Sequence, residues 1–309
     1  MNQGSVFDYI SSGNGSSIFL YFGVLGGLIL TGVIAFVLYF SRRYRGAAGD
    51  PEPPRRHQNE LLETWLMGGF AVLTTAFLFL AVRRMHLIQD IPEVPQPEVV
   101  ITGHQWWWEA RYPDGDVVVA NEIHLPAGRR VLLQLESADV IHDWWVPALG
   151  RKMDMIPGVT NYVWAEAREP GEYLGTCSEF CGAQHAGMRL RVIVEPENDF
   201  AAWKQRQSQP APDAAAQSPA LAGQELFTTK ACATCHAVRG TRAAGSVAPD
   251  LTHFGSRRHM LSDLRETTPD NLRAWLRNPQ AVKPGALMPN FLLTPEEVEQ
   301  LTAYLLQLQ

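Results

Sequence analysis

The chain has 309 residues, 46% of them hydrophobic, and a formal net charge of −6 at neutral pH. That length allows two domains, or one domain with smaller modules. The acidic balance, with no basic stripe interleaved with aromatics, excludes a nucleic-acid surface, and four cysteines gathered in two short runs leave none over for a structural disulfide.

In chain order, the only charge before residue 17 is Asp8, which does not suit the cationic start of a cleaved leader. Residues 17–40 carry no charge, and 61–82 form a second apolar run with Glu63 near its start. Each is long enough to cross a bilayer, so the expected order is an N-terminal segment (1–16) and a transmembrane hairpin (17–89) with spans at 17–40 and 61–82. Arg42, Arg43, Arg45, Arg55 and Arg56 lie between the spans and mark that segment as cytoplasmic. Arg83 and Arg84, just past the second span, weigh against this. The rest of the chain then lies on the outer face.

The stretch IPEVPQPEV suits a stiff tether. Beyond it, VVITG, HQWWWEARY, DVVVA, RRVLLQLES, NYVWAEA and MRLRVIV read as short strands, with Pro113-Asp114-Gly115 as a turn. This predicts an all-β sandwich or barrel over 90–203. Residues 204–220, rich in Gln, Pro, Ala and Ser, read as a linker able to span roughly 50 Å when extended. Residues 221–309 turn helical, with two Thr-Pro-acidic starts at Thr268 and Thr294. Residues 90–207 hold 18 acidic and 10 basic residues, against 8 and 9 in 218–309. The acidic excess is either a solvated surface or a field that steers cationic partners.

Cys232-Ala233-Thr234-Cys235-His236 is the c-type haem attachment pattern, in which two thiols bond the vinyl groups and His236 supplies an axial nitrogen. Gly223 and Phe227 precede it on one expected helix, and Pro249 follows it, as in small class I cytochromes c. Met288, in a loop between helical patterns, is the expected sixth ligand, with Met260 as the other candidate.

The run CSEFCGAQHAGM places Cys177, Cys181, His185 and Met188 within twelve residues. A disulfide would leave His185 and Met188 without a purpose. A redox or copper-delivery CxxxC on a thioredoxin-like fold would need a βαβ pattern, which the short strands do not give. Two thiolates, an imidazole and a thioether suit copper. Zinc has no use for the methionine, and a single blue-copper centre takes one cysteine. One further nitrogen is wanted, and His142, in VIHDWWVPALG, lies upstream between strands.

His142 in HDWWVP, followed by Cys177, Cys181, His185 and Met188, resembles the dinuclear copper A site of cytochrome c oxidase subunit II. The hairpin and GHQWWWEA match the same family over about residues 15–200, and the appended haem domain is similar to that of the caa3-type oxidases. The resemblance implies a membrane-anchored multidomain chain: a two-helix hairpin, a cupredoxin-like β domain and an all-α class I cytochrome c domain. It also implies that Cys177 and Cys181 bridge two coppers, capped by His142 and His185. Met188 and the backbone carbonyl of Glu179 would be weak ligands. The Glu179 side chain would bind a magnesium or manganese shared with subunit I, and Trp106 would be an exposed electron-entry residue, with Trp107 and Trp108 packed. Glu60 and Glu63 are candidates for a glutamate near a proton path at the cytoplasmic end of the second span, although their spacing to Trp65 is off by one. Asp143 and Trp144 depart from the serine and aromatic residue usual after the first histidine.

Such a chain would be the electron-input subunit of a respiratory terminal oxidase in the bacterial inner membrane, with its copper and haem on the periplasmic face. It would hold no catalytic residue for oxygen chemistry. Its partners would be subunit I, subunit III, a c-type cytochrome donor and the bilayer. The alternatives are a subunit of a nitric oxide reductase and a membrane-anchored copper carrier or redox sensor.

Overall fold

The computed structural model describes residues 16–46, 49–51, 59–88, 90–214 and 217–309. Arg55, Arg56 and nearly all of the expected N-terminal segment lie outside them.

Two long helices come first, α1 (Ser16–Arg43) and α2 (Glu60–Ile88). Both outrun the expected spans, because arginine ends an apolar run without ending a helix. Arg83 and Arg84 therefore lie inside α2. Each helix is long and apolar enough to cross a membrane, and their large side chains, such as Phe36 and Phe79, are exposed. The Asn59 side chain accepts the Leu62 N–H at 3.2 Å at the start of α2. Glu60 and Glu63 occupy its first turn, where negative charge complements the helix dipole.

A β-sandwich follows, made of β1 (Val99–His104), β2 (Trp107–Tyr112), β3 (Val117–Ala120), β4 (Glu122–Pro126), β5 (Arg130–Ser137), β6 (His142–Trp145), β7 (Met153–Met155), β8 (Asn161–Glu166), β9 (Gly171–Cys177) and β10 (Arg189–Glu195). One sheet runs β3-β2-β1-β5-β8 and the other β4-β10-β9-β6-β7. Period-two patterning sets the inner faces: in β10, Leu190, Val192 and Val194 are buried while their neighbours are not. Four of these strands, β4, β6, β7 and β9, carry too little alternation to be read from sequence. The β domain closes with α3 (Glu197–Gln207), whose Phe200 and Trp203 join its core.

The helical domain has α4 (Pro219–Thr229), α5 (Cys232–Cys235), a short ribbon of β11 (His259–Met260) and β12 (Arg265–Glu266), then α6 (Pro269–Arg277), α7 (Pro279–Val282) and α8 (Pro295–Gln307). Gly223 is where α4 crosses α8: a Cβ there would lie 2.1 Å from the Gln300 carbonyl oxygen. Phe227 packs edge-on against Tyr304. Thr268 and Thr294 cap α6 and α8 as expected, the latter in a reciprocal capping box with Glu297.

Three expectations are corrected here. Residues 204–207 are helical and α4 opens at Pro219, so both ends of the expected linker are ordered. Residues 209–211 are no free tether: Ala211 N–H donates to the Arg239 carbonyl at 2.9 Å, and the His253 ring meets the Gln209 carbonyl at 3.0 Å. Finally, Gly223 and Phe227 do not share a helix with the CATCH motif, because Ala231 takes a left-handed conformation (φ 63°) and breaks the chain between α4 and α5.

Candidate metal and haem sites

The first site is the loop that joins β9 to β10. Cys177 ends β9, and Met188 immediately precedes β10 and accepts the Cys177 N–H at 3.0 Å. A single 3-10 turn, His185–Gly187, turns His185 back toward Cys181. Pairing of β6 with β9 sets Trp144 opposite Cys177, which brings His142 beside the loop. His142 begins a strand rather than lying between strands, and it needs a glycine opposite: a Cβ on Gly103 would fall 2.8 Å from its ring.

The donor atoms converge. The two thiol sulfurs are 3.7 Å apart and unbonded. His142 Nδ1 lies 3.9 Å from Cys177 Sγ, and His185 Nδ1 3.7 Å from Cys181 Sγ. Met188 Sδ is 3.7 Å from Cys181 Sγ, and the Glu179 carbonyl oxygen is 3.1 Å from Cys177 Sγ. The bond shared with Cys181, then those from His142 and the backbone, hold the Cys177 thiol far below its ordinary range, while the sharing pushes Cys181 up. Metal binding takes the thiolates, so a soft cation bound here displaces the thiol protons. Two sulfurs flanked on each side by an imidazole fit a pair of soft or borderline metals.

Asp139, which the sequence reading missed, sits 2.7 Å from His142 Nε2 and accepts the Gln105 N–H at 2.7 Å. Burial lowers the His142 pKa, but its bonds to Cys177 and Asp139 outweigh that and hold it above its ordinary value. The position three residues before His142 was the available signal. Asp143 is buried and pushed up to about 7, first by burial and then by its hydrogen bond with Asp154. The Glu179 side chain is exposed, its Oε1 accepting the Phe180 N–H at 3.3 Å.

The second site is a cavity of about 490 Å³ between the helical domain and the β domain, walled mostly by the former and closed on one side by residues such as Trp106 and Asp139, a size that suits a cofactor. Cys232, Cys235, His236, Met260 and Met288 all line it. His236 Nδ1 lies 2.7 Å from the Pro249 carbonyl oxygen. A carbonyl only accepts, so this nitrogen carries the proton, and burial keeps the ring neutral. Nε2 is left with a lone pair for a metal. Paired thiols, an imidazole with Nε2 available and thioethers around an apolar cavity fit a covalently attached haem.

Trp106 does not lie where it was expected. It is 9% exposed, as buried as Trp107, because Ser262 and Lys283 of the helical domain cover it. It touches both sites: its Nε1–H donates to the Cys181 carbonyl at 3.0 Å, and it lines the haem-sized cavity.

Residues 115–195 match the family described as cytochrome c oxidase subunit II, periplasmic domain, and residues 220–309 match cytochrome c. Cytochrome c oxidase subunit 2 of Alkalihalophilus pseudofirmus is 35% identical over 91% of this chain and 84% of its own length. The chain belongs to the cytochrome c oxidase subunit II family. It carries a cytochrome c domain behind the periplasmic domain and is membrane-anchored through its two apolar helices. The alternative cytochrome c oxidase subunit 2 of Bradyrhizobium diazoefficiens is 36% identical over 59% of this chain and 76% of that protein. The solved periplasmic domain of subunit II of cytochrome oxidase from Bradyrhizobium japonicum is 34% identical, covering 37% of this chain and 96% of its own, with a TM-score of 0.35. As a subunit II, the chain is part of an oxidoreductase whose partner is subunit I.

Proposed function

We propose that the chain takes electrons from an external c-type cytochrome and delivers them to the oxygen-reducing subunit I. The observation that carries this reading is Trp106, a single side chain that bonds to the Cys181 carbonyl and lines the cavity beside Cys232 and His236.

Cys177 and Cys181 would bridge two coppers, with His142 and His185 capping them and Met188 and the Glu179 carbonyl as weak ligands. Cys232 and Cys235 would bond a haem c, with His236 and Met288 axial. When bound, the thiolate-bridged pair and the haem each supply a one-electron couple. The protein's own task is to fix the donors. Asp139 sets the His142 tautomer, because the carboxylate accepts from Nε2–H and leaves Nδ1 free. The Pro249 carbonyl does the reverse for His236, freeing Nε2. Trp106 ties the Cys181 backbone to the wall of the cavity.

The Glu179 side chain, exposed next to these donors, would bind magnesium or manganese at a face shared with subunit I. Subunit III and the inner membrane complete the setting, with the copper and haem domains on the periplasmic side. Glu60 and Glu63, in the first turn of α2, are the proposed carboxylates near a proton path. The domain limits proposed are 90–207 and 219–309, the expected limits of 203 and 221 giving way to the end of α3 and the start of α4.

The test is metal analysis and electron paramagnetic resonance on the full chain. Two coppers and one haem per chain, with hyperfine structure from one electron shared over two copper nuclei, are expected. One copper with a single-metal pattern would overturn the assignment.

A further inference from the structure

The cytochrome c and β domains meet at several polar contacts, among them Arg239 with the Asp116 carbonyl and Gln184 with the Pro284 carbonyl, and one set gathers at Trp106. Ser262 Oγ donates to the Trp106 carbonyl at 2.7 Å and Lys283 Nζ donates to the same oxygen at 2.8 Å. The two side chains are themselves 3.1 Å apart. Ser262 is fully buried and Lys283 nearly so. Around them, Glu122 of β4 accepts the backbone N–H groups of Arg258 (3.2 Å) and His259 (2.6 Å). Arg191 of β10 pairs with Asp263 at 2.9 Å.

Two features of this contact run against local stability. Lys283 is a buried cation whose hydrogen-bond partners are two neutral oxygens, and among the described residues it forms no ion pair. Burial accordingly pulls its pKa down to about 8. A buried ammonium without a carboxylate partner is costly and is retained where it fixes one arrangement. The segment that meets it, Leu261-Ser262-Asp263, has three successive residues in the left-handed region (φ 58°, 61° and 62°), none of them glycine. Such backbone is unfavourable for every residue with a Cβ and persists where its surroundings hold it. Here Lys283 and His259 of its own domain and Trp106 and Arg191 of the other domain hold it.

We propose that Lys283, together with Ser262, is a positioning residue that seats the cytochrome domain over Trp106, so that this tryptophan faces the chain's own haem cavity and not an external cytochrome. The inference rests on the proposed reading of the two sites. It turns the entry patch into an internal junction: an external donor meets the cytochrome domain alone, and the acidic β domain receives electrons only across the seated contact.

The test uses the full chain, loaded and in its oxidase complex. Hydrogen exchange is read at the amides of Arg258 and His259, which donate to Glu122 across the contact. In Lys283→Met, which keeps an unbranched stem, these two amides exchange roughly tenfold faster or more, as expected when a charged hydrogen bond is lost. Exchange within α8 and the haem spectrum stay unchanged. Haem reduction by a small mediator keeps its rate while reduction of the copper centre slows. Lys283→Arg, which retains a cationic donor, restores protection, whereas a merely space-filling role would be satisfied by methionine. Should the methionine variant lose its haem, Ser262→Ala reads the same two amides. Unchanged exchange at Arg258 and His259 in the folded Lys283 variant would overturn the proposal. Wrong metal content would instead sink the functional reading and leave the exchange result standing.

Discussion

Around Cys177 and Cys181 the polypeptide itself sets two sulfurs 3.7 Å apart and places two imidazoles and a thioether each 3.7–3.9 Å from one of them. Around Cys232 and His236 it wraps a space of about 490 Å³. The first arrangement hangs from paired strands, and its parts are held whether or not a metal joins them: Cys177 by β9, His142 by β6, Met188 at the start of β10. The second is a cofactor-sized space bounded mostly by the core of a domain of about ninety residues, through Phe227, Leu272 and Leu301, with Trp106 and Asp139 of the β domain closing one side. A site added to a finished fold should tolerate loss of its ligands. A site that replaces the core should not.

The largest effect expected from this contrast follows loss of haem attachment. With Cys232 and Cys235 both changed to serine, filling of the cavity is lost. A partly open space costs less than the ~24 cal/mol per Å³ of a sealed void, but losing its filling should still remove a large part of a domain's ~5–15 kcal/mol. Limited proteolysis should then digest residues 219–309 while the β domain stays protected. A helical domain that survives intact without haem would break the comparison.

On the other side, Cys181→Ser should abolish copper retention on a desalting column yet move the thermal transition of the metal-free β domain by only a few degrees, about what ~1 kcal/mol does. Both thiols are buried in the sandwich core, and collapse of the sandwich in calorimetry would show that its stability depends on them.

A smaller loss is expected from Asp139→Asn. The Oδ1 atom that orients His142 becomes part of an amide, while an oxygen remains for the Gln105 N–H. Copper affinity, read by competition with a chelator, should fall ~10–100-fold, with the fold unchanged. No change in affinity would mean that Gly103 and the strand alone fix the imidazole.

How much of this was legible in the sequence depended on distance along the chain. Cys177, Cys181, His185 and Met188 share one loop and CATCH is contiguous, so residue type and spacing sufficed. His142 was found only because soft-metal chemistry asked for another nitrogen. The burial of Trp106 could not be read, because what covers it, Ser262 and Lys283, lies more than 150 residues away. The helix α3 was missed where Trp203 and Phe200 anchor a polar run that by composition resembles the linker after it. The strands β4 and β6 escaped because residues on both of their faces are buried and alternation is lost, β7 because it has three residues, and β9 because it exposes Leu174 and buries Gly175.

The smallest effect concerns how the helical domain is tied at its ends. Glu297 accepts the Thr294 N–H at 2.8 Å and pairs with Lys230 at 2.9 Å, joining the start of α8 to the end of α4. The Thr294 backbone bond first, and Lys230 after it, hold the Glu297 carboxyl below its ordinary value. The folded domain therefore binds this proton less tightly than the unfolded chain does. Between the folded and ordinary values the unfolded state carries more protons, so stability rises with pH there. The contribution is complete above about pH 4–5, the ordinary glutamate range, and is lost as the pH falls through the lower, folded value. Because the group is solvent-exposed, the effect is weak and screened by salt. Glu297→Gln should flatten this part of the acid limb in a pH series of thermal transitions of the haem-loaded chain, and added salt should do the same to the unsubstituted chain. An acid limb that keeps its shape in the variant would place the pH sensitivity elsewhere.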